Sequence, residues 1–386
     1  MITTSEMPFL GIGPVSRNVV DAVLAASVRC DSRIMLIPSR SQVDAGATGP
    51  GYLGWTTYEF ADYVRARDPD GRVLLCRDHG GPWQHPDEKG ITDEAAAMAS
   101  CAASFQHDIQ AGFDLLHLDT SAEGGHQAEF DAALRRLTGL YEHCSGVAEA
   151  AGRCLRFEIG FETQGIEAND PDVFEAQLDR VLAEIVGHEF ASPTFAVAQT
   201  ATKVLELANT GSWPLPGERE RLSGQVAALS RICRDRGVGL KAHNCDYLDP
   251  RDVADLARTG VAAINIAPEL GAFESRTLLR LMHELGLDGL AERFVALAYA
   301  SGKWRKWMRP DSAATDYERA VIAGHYVFQT PAFHEIRAEL ESTMARRGLA
   351  PLSAVLTAEI GLLIERYLLA GAATGYATTT ARSTGR

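Results

Sequence analysis

The sequence has no closely spaced cysteine pair. Its seven cysteines, at positions 30, 76, 101, 144, 154, 233 and 245, are scattered and odd in number. That excludes a CxxC zinc or redox motif and argues against a disulfide framework; free thiols fit a reducing, cytoplasmic setting. Basic blocks are missing too. The 37 Lys and Arg face 51 Asp and Glu, for a formal charge of −14. Nucleic acid is therefore not an expected partner, and the acidity reads as solubility. No apolar run approaches the roughly 18 residues of a membrane span, and the first residues, MITTSEMPFLGIG, lack the basic start and apolar core of a signal peptide. No GxGxxG turn follows the first strand-like stretch, which weakens a dinucleotide-binding sheet.

What is present is an ordinary globular composition, 46% hydrophobic over 386 residues, with ample length for a large core. Short apolar stretches of strand type fall at 9–15, 34–38, 73–76, 113–119, 155–160, 194–198, 238–242 and 261–266. Helical spacing fills the gaps at 18–27, 56–68, 92–111, 126–151, 171–186, 217–236, 249–259 and 273–285. Thr56 with Glu59 three residues on has the form of a capping box, and Pro171 suits a first helical turn. Eight strands strictly alternating with helices predict parallel strands and a closed (β/α)8 TIM barrel, of class α/β. The expected organisation is a barrel over 1–290, a helical C-terminal extension packed on it over 291–375, and a flexible tail over 376–386. The extension is a candidate cap or oligomer contact.

In such a barrel the C-terminal strand ends meet on one face. Here they carry Asp78-His79, His117 and Asp119, Glu162, Gln199, His243 and Asn265. His79, His243 and Glu162 form a ligand set suited to zinc or a similar divalent ion with an open position. Asp78 beside a ligand suits a general acid/base. Each residue also has an ordinary reading. Asp78 and Asp119 can hold loops by accepting backbone N–H groups. Glu162 can pair with an arginine. Gln199 is either a weak oxygen ligand or a substrate contact, and Asn265 a substrate contact or a hydrogen bonder at the barrel end. His117 is read as a packed core histidine. Lys241 is read as out of phase with His243, with a Schiff-base role the minor alternative.

These residues, taken in order, resemble a known family. The chain is similar to the Z-subunit family of class II tagatose-bisphosphate aldolases, within the wider group of zinc-dependent class II ketose aldolases. SRSQVD at 39–44, LLCRDHGGP at 74–82, GFDLLHLDTS at 112–121, IGFE at 159–162, KAHNCDY at 241–247 and NIAPELG at 265–271 carry the likeness, over roughly residues 8–335. The resemblance implies a barrel, a divalent metal and carbon–carbon lyase chemistry on a ketose or ketose phosphate through a metal-stabilised enediolate. It implies Asp78 as acid/base with Asp119 beside it, and His79, Glu162 and His243 at the metal. It further implies substrate roles for Gln42, Asp119 and Asn265; Gln199 and Asp246 complete the candidate substrate-binding set. Two departures stand out. No histidine occupies the 198–203 region, where Gln199 stands, and no glycine/serine phosphate cradle follows His243, which argues against a bisphosphate substrate. The relatives implied include sugar epimerases using the same metal site and non-catalytic subunits that stabilise a partner aldolase. A homo-oligomer or such a partner subunit are the candidate assemblies.

Overall fold

The computed structural model describes residues 7–161 and 165–372. Eight strands run β1 (Leu10–Ile12), β2 (Ile34–Leu36), β3 (Val73–Arg77), β4 (Leu115–Asp119), β5 (Arg156–Gly160), β6 (Phe195–Val197), β7 (Gly239–Ala242) and β8 (Ala263–Ile266). All neighbours are parallel, and β1 pairs with both β2 and β8, which closes the barrel. The expected (β/α)8 barrel is therefore present.

The crossover helices are α1 (Arg17–Arg29), α2 (Thr57–Arg65), α3 (Glu94–Ala111), α4 (Phe130–Ala150), α5 (Pro171–Gly187), α6 (Arg219–Asp235), α7 (Pro250–Arg258) and α8 (Pro268–Glu284). Local chemistry sets their starts. Ser16 caps α1 by accepting from the Val19 amide. Thr56 and Glu59 form the expected capping box of α2, and Asp170 with Pro171 opens α5. Two starts differ from the sequence reading. The α4 helix begins at Phe130 because Gly124 and Gly125, both at positive φ, turn the chain into a short hairpin that pairs Ala122–Glu123 with His126–Gln127. The α8 helix begins earlier, at Pro268, because Oδ1 of Asp246 accepts from the Ala267 and Glu269 amides and satisfies that terminus.

Side-chain alternation divides the barrel interior into layers. Met35, Leu74, Cys76, Leu115, Phe195 and Ala263 form an apolar floor. Two residues further along their strands come polar groups: Asp78 after Cys76, His117 after Leu115, Asn265 after Ala263. The larger core lies between the strands and the helical ring.

Four further helices follow: α9 (Asp288–Ala300), α10 (Asp316–Ala323), α11 (Pro331–Arg346) and α12 (Leu352–Ala372). The last packs along α1 and touches α7 and α8. The Tyr367 hydroxyl is buried there, 2.5 Å from Glu269 Oε2 and 3.2 Å from the Cys245 carbonyl. No helix among the described residues is long and apolar enough to cross a membrane.

Candidate active site

The site is built where β3, β4, β5, β7 and β8 end. At the end of β3 the chain passes Asp78 and turns at His79, whose φ of +44° lies in the left-handed region that favours glycine. The next two residues have to be small. A Cβ on Gly80 would lie 2.4 Å from the Phe105 ring, and one on Gly81 would fall 1.4 Å from the Asp119 carbonyl oxygen. The Gly-Gly step thus lets this loop press against the end of β4. That contact is tied by the Gly80 amide donating to the His117 carbonyl, and by the His79 amide, 3.2 Å from Nδ1 of His117.

Three imidazoles converge there. The rings of His79, His117 and His243 have centroids 5.1 to 5.3 Å apart in every pairing. Asp78 sits among them: its oxygens are 3.8 Å from Nε2 of His79, 3.6 Å from Nδ1 of His117 and 4.0 Å from Nδ1 of His243. One ligand atom from each of the four lies within 4.8 Å of the others. Asp119 stands behind His79, with Oδ2 2.6 Å from its Nδ1, and is itself held by Gln84 and Ser121. A carboxylate that grips the far nitrogen of an imidazole is the usual way a ligand ring is oriented. Asn265 places Nδ2 3.3 Å from Asp78 and 3.1 Å from Nε2 of His243.

Beneath the rings lies a buried ion pair. Lys241 Nζ is 2.6 Å from Oε2 of Glu158, and the other carboxylate oxygen is 2.9 Å from Nε2 of His243. Both side chains are 1% exposed. Lys241 is two residues before His243 and shares its inward face, which corrects the reading that set it out of phase. It is engaged with Glu158 rather than held as a free amine. His117 is likewise not a plain core histidine but a member of the ring cluster. Glu158 was not foreseen at all. Its signal was a glutamate inside the apolar strand LRFEIG, two residues ahead of Gly160 and so in phase with the barrel interior.

The electrostatics follow from these contacts. Burial alone would raise the Asp78 carboxyl, but the His79, His117 and His243 imidazoles outweigh it and hold it well below the usual range. Asp119 is held low in the same way, against burial, by its hydrogen bond to His79. Glu158 is pulled down to about 2, as Lys241, His117 and His243 overcome burial. Burial depresses His79, yet Asp78 and Asp119 push it up to about 9. Burial lowers His243, against the pull of Glu158 and Asp78.

This arrangement fits a divalent cation. The donor set is three imidazoles and a carboxylate, ligands suited to zinc and its neighbours. With the imidazoles neutral, Asp78, Asp119 and Glu158 against Lys241 leave two uncompensated negative charges. Nε2 of His117 and Oδ1 of Asn265 are buried with no hydrogen-bond partner among the described residues. They lie against Gly160 and Gly11, where a Cβ would come within 2.5 Å of them, while Nδ1 of His117 and Nδ2 of Asn265 face Asp78.

The remaining sequence candidates sit elsewhere or do other work. Glu162 lies outside the described residues. Gln42 is buried, and its Oε1 accepts from the Ser39 amide at 2.7 Å; Ser39 is bridged to Asp78, so Gln42 shapes the turn beside the cluster. Gln199 accepts from the Gly165 amide at 2.9 Å and so holds the strand-6 end to that loop. Asp246 is not brought to the cluster; its Oδ1 is committed to the start of α8. Burial and Glu269 raise its carboxyl to about 7.

No protein-family model matches this sequence, and no curated protein matches it. Solved structures do. A probable tagatose 6 phosphate kinase from Sinorhizobium meliloti 1021 superposes with a TM-score of 0.77 at 19% identity, over 94% of this chain and 100% of that one. The fructuronate-tagaturonate epimerase of Cohnella laeviribosi, complexed with one glycerol, gives 0.55 at 15% identity, over 95% and 82%. At such identities the likeness is one of architecture: this chain shares the (β/α)8 TIM-barrel fold with these proteins.

Proposed function

We propose that this chain is a divalent-metal-assisted carbon–carbon lyase of the class II aldolase type, acting on a ketose or ketose phosphate. The observation that supports this reading most is the placing of one carboxylate, Asp78, within 4.0 Å of three imidazoles at the barrel mouth. His79, His117 and His243 would hold the ion, with Glu162 a further candidate from sequence. When bound, a divalent ion supplies Lewis-acid polarisation of a substrate carbonyl and its neighbouring hydroxyl.

The protein's own groups do the proton work. Asp78 is ionised at neutral pH and takes the proton of the substrate hydroxyl. The carbon–carbon bond beside that oxygen then breaks, an aldehyde leaves, and the bonding electrons pass toward the carbonyl. The proton that Asp78 has taken then returns to carbon. Asp119 keeps the His79 ring in place through Nδ1. The Asn265 amide, between Asp78 and His243, would bind a sugar oxygen.

Epimerisation at the same site is the second reading, and the fold shared with a fructuronate-tagaturonate epimerase favours keeping it. Removal and return of a proton, or cleavage and re-addition, would use the same groups. The test is a panel of ketoses and ketose phosphates incubated with metal-replete protein. Aldehyde and ketone fragments are expected, with Asp78→Asn slower by roughly a hundredfold or more. A stereoisomer formed without fragments would move the assignment to epimerase. No turnover of any ketose, or an unaffected Asp78→Asn protein, would overturn both.

A further inference from the structure

Two hydrogen-bonding groups compete for one ring nitrogen. Nε2 of His243 is 2.9 Å from Oε1 of Glu158 and 3.1 Å from the amide nitrogen of Asn265. A carboxylate only accepts, so it demands a hydrogen on Nε2; an amide N–H only donates, so it demands a lone pair there. The two choices put the other ring nitrogen in opposite states. That nitrogen, Nδ1, is the one facing Asp78 at 4.0 Å. Only the first choice leaves Nδ1 with a lone pair turned into the cluster.

We infer that Glu158 and Lys241 are a positioning pair that decides this competition. Lys241, 2.6 Å from Oε2 and 1% exposed, keeps Glu158 ionised inside the barrel. The ionised carboxylate makes the shorter, charge-assisted contact and wins Nε2 from Asn265. The pair thereby locks His243 as the tautomer with hydrogen on Nε2 and presents Nδ1 to a divalent cation. The placement explains why a lysine and a glutamate are buried below the rings when neither touches the mouth. It also explains their order along the strands. Glu158 is in register with His117, and Lys241 precedes His243 by two residues.

The inference rests on the proposed cation site, but its test does not depend on activity. Two double variants leave the interior neutral. Glu158→Gln/Lys241→Met keeps an acceptor oxygen for His243, while Glu158→Leu/Lys241→Met removes it. Replacing a buried ion pair by uncharged residues is commonly tolerated by the fold. In the metal-free protein, nitrogen NMR of labelled histidine reads the tautomer directly; the His243 signal is identified by its loss in His243→Gln. Wild type and the Gln–Met protein are expected to carry hydrogen on Nε2, and the Leu–Met protein on Nδ1, where Asn265 takes over. Titration calorimetry with Zn2+ should then show the Leu–Met protein roughly ten- to a hundredfold weaker, and the Gln–Met protein close to wild type. Identical tautomers in the two double variants, or hydrogen on Nδ1 in wild type, would overturn the inference. If wild type binds no divalent ion, the cation site fails, yet the tautomer comparison still stands or falls alone.

Discussion

His79 shows how much one residue carries. Its backbone is left-handed, its amide is aimed at His117, and its ring is clasped by Asp119. A substitution at Asp119 should therefore act through His79. Asp119→Asn keeps an acceptor oxygen for Ser121 but loses the charge and the second oxygen, which faces His79 and Gln84. Divalent-ion affinity is expected to fall roughly ten- to a hundredfold, with melting temperature little changed; calorimetry on the metal-free protein decides it. An unchanged affinity would mean that Asp119 only holds its loop, which was the ordinary reading of that residue. At Asp78 and His79 the sequence was easy to read, because an apolar run ended abruptly in an acid and an imidazole. At His117, Glu158 and Lys241 it was not. Each stands inside an apolar strand, where a polar residue looks like noise until the inward phase of the strand is known.

Among the elements, the start of α8 offers a test that is independent of metal. Asp246 satisfies two amides at that helix start but is itself buried and sits near Glu269, which raises it to about 7 from an ordinary 3.8. The sign follows directly. Between those two values the folded protein holds a proton on Asp246 that the unfolded chain has lost, so stability falls as pH rises across that range. Asp246→Asn retains an acceptor oxygen and has no proton to lose. Its melting temperature is expected to rise relative to wild type on going from pH 4 to pH 8. A constant gap across that range would show that Asp246 does not titrate there. The same region ties the extension to the barrel. Tyr367→Phe removes a buried hydroxyl bonded to Glu269 and to the Cys245 carbonyl, and should cost about 1–3 kcal/mol in denaturant unfolding, since both acceptors stay buried. Loss of no stability would mean that α12 docks by its apolar face alone. Helix starts such as α8 were misplaced from sequence because the group that caps them comes from a different strand loop, a contact that local spacing does not encode.

For the whole molecule, the alternation of strand and helix was legible from end to end, since it rests on periodicity and on Gly and Pro punctuation. The closed barrel follows from eight such units, and the solved structures of similar fold agree with it. The barrel does not depend on the cluster for closure. Its ladder of parallel backbone pairs runs round the whole sheet. Stripping divalent ions with a chelator should accordingly abolish turnover while leaving the far-ultraviolet circular dichroism unchanged, and adding Zn2+ back should restore it. Collapse of the dichroism on chelation would assign the ion a structural role instead. The central claim is that His79, His117 and His243 together hold one divalent ion beside Asp78. Mass-spectrometric metal analysis of the purified protein beside His79→Ala/His243→Ala tests it most directly. The account predicts about one ion per chain in wild type and near none in the variant. Equal metal content in the two proteins, or none in either, would contradict it.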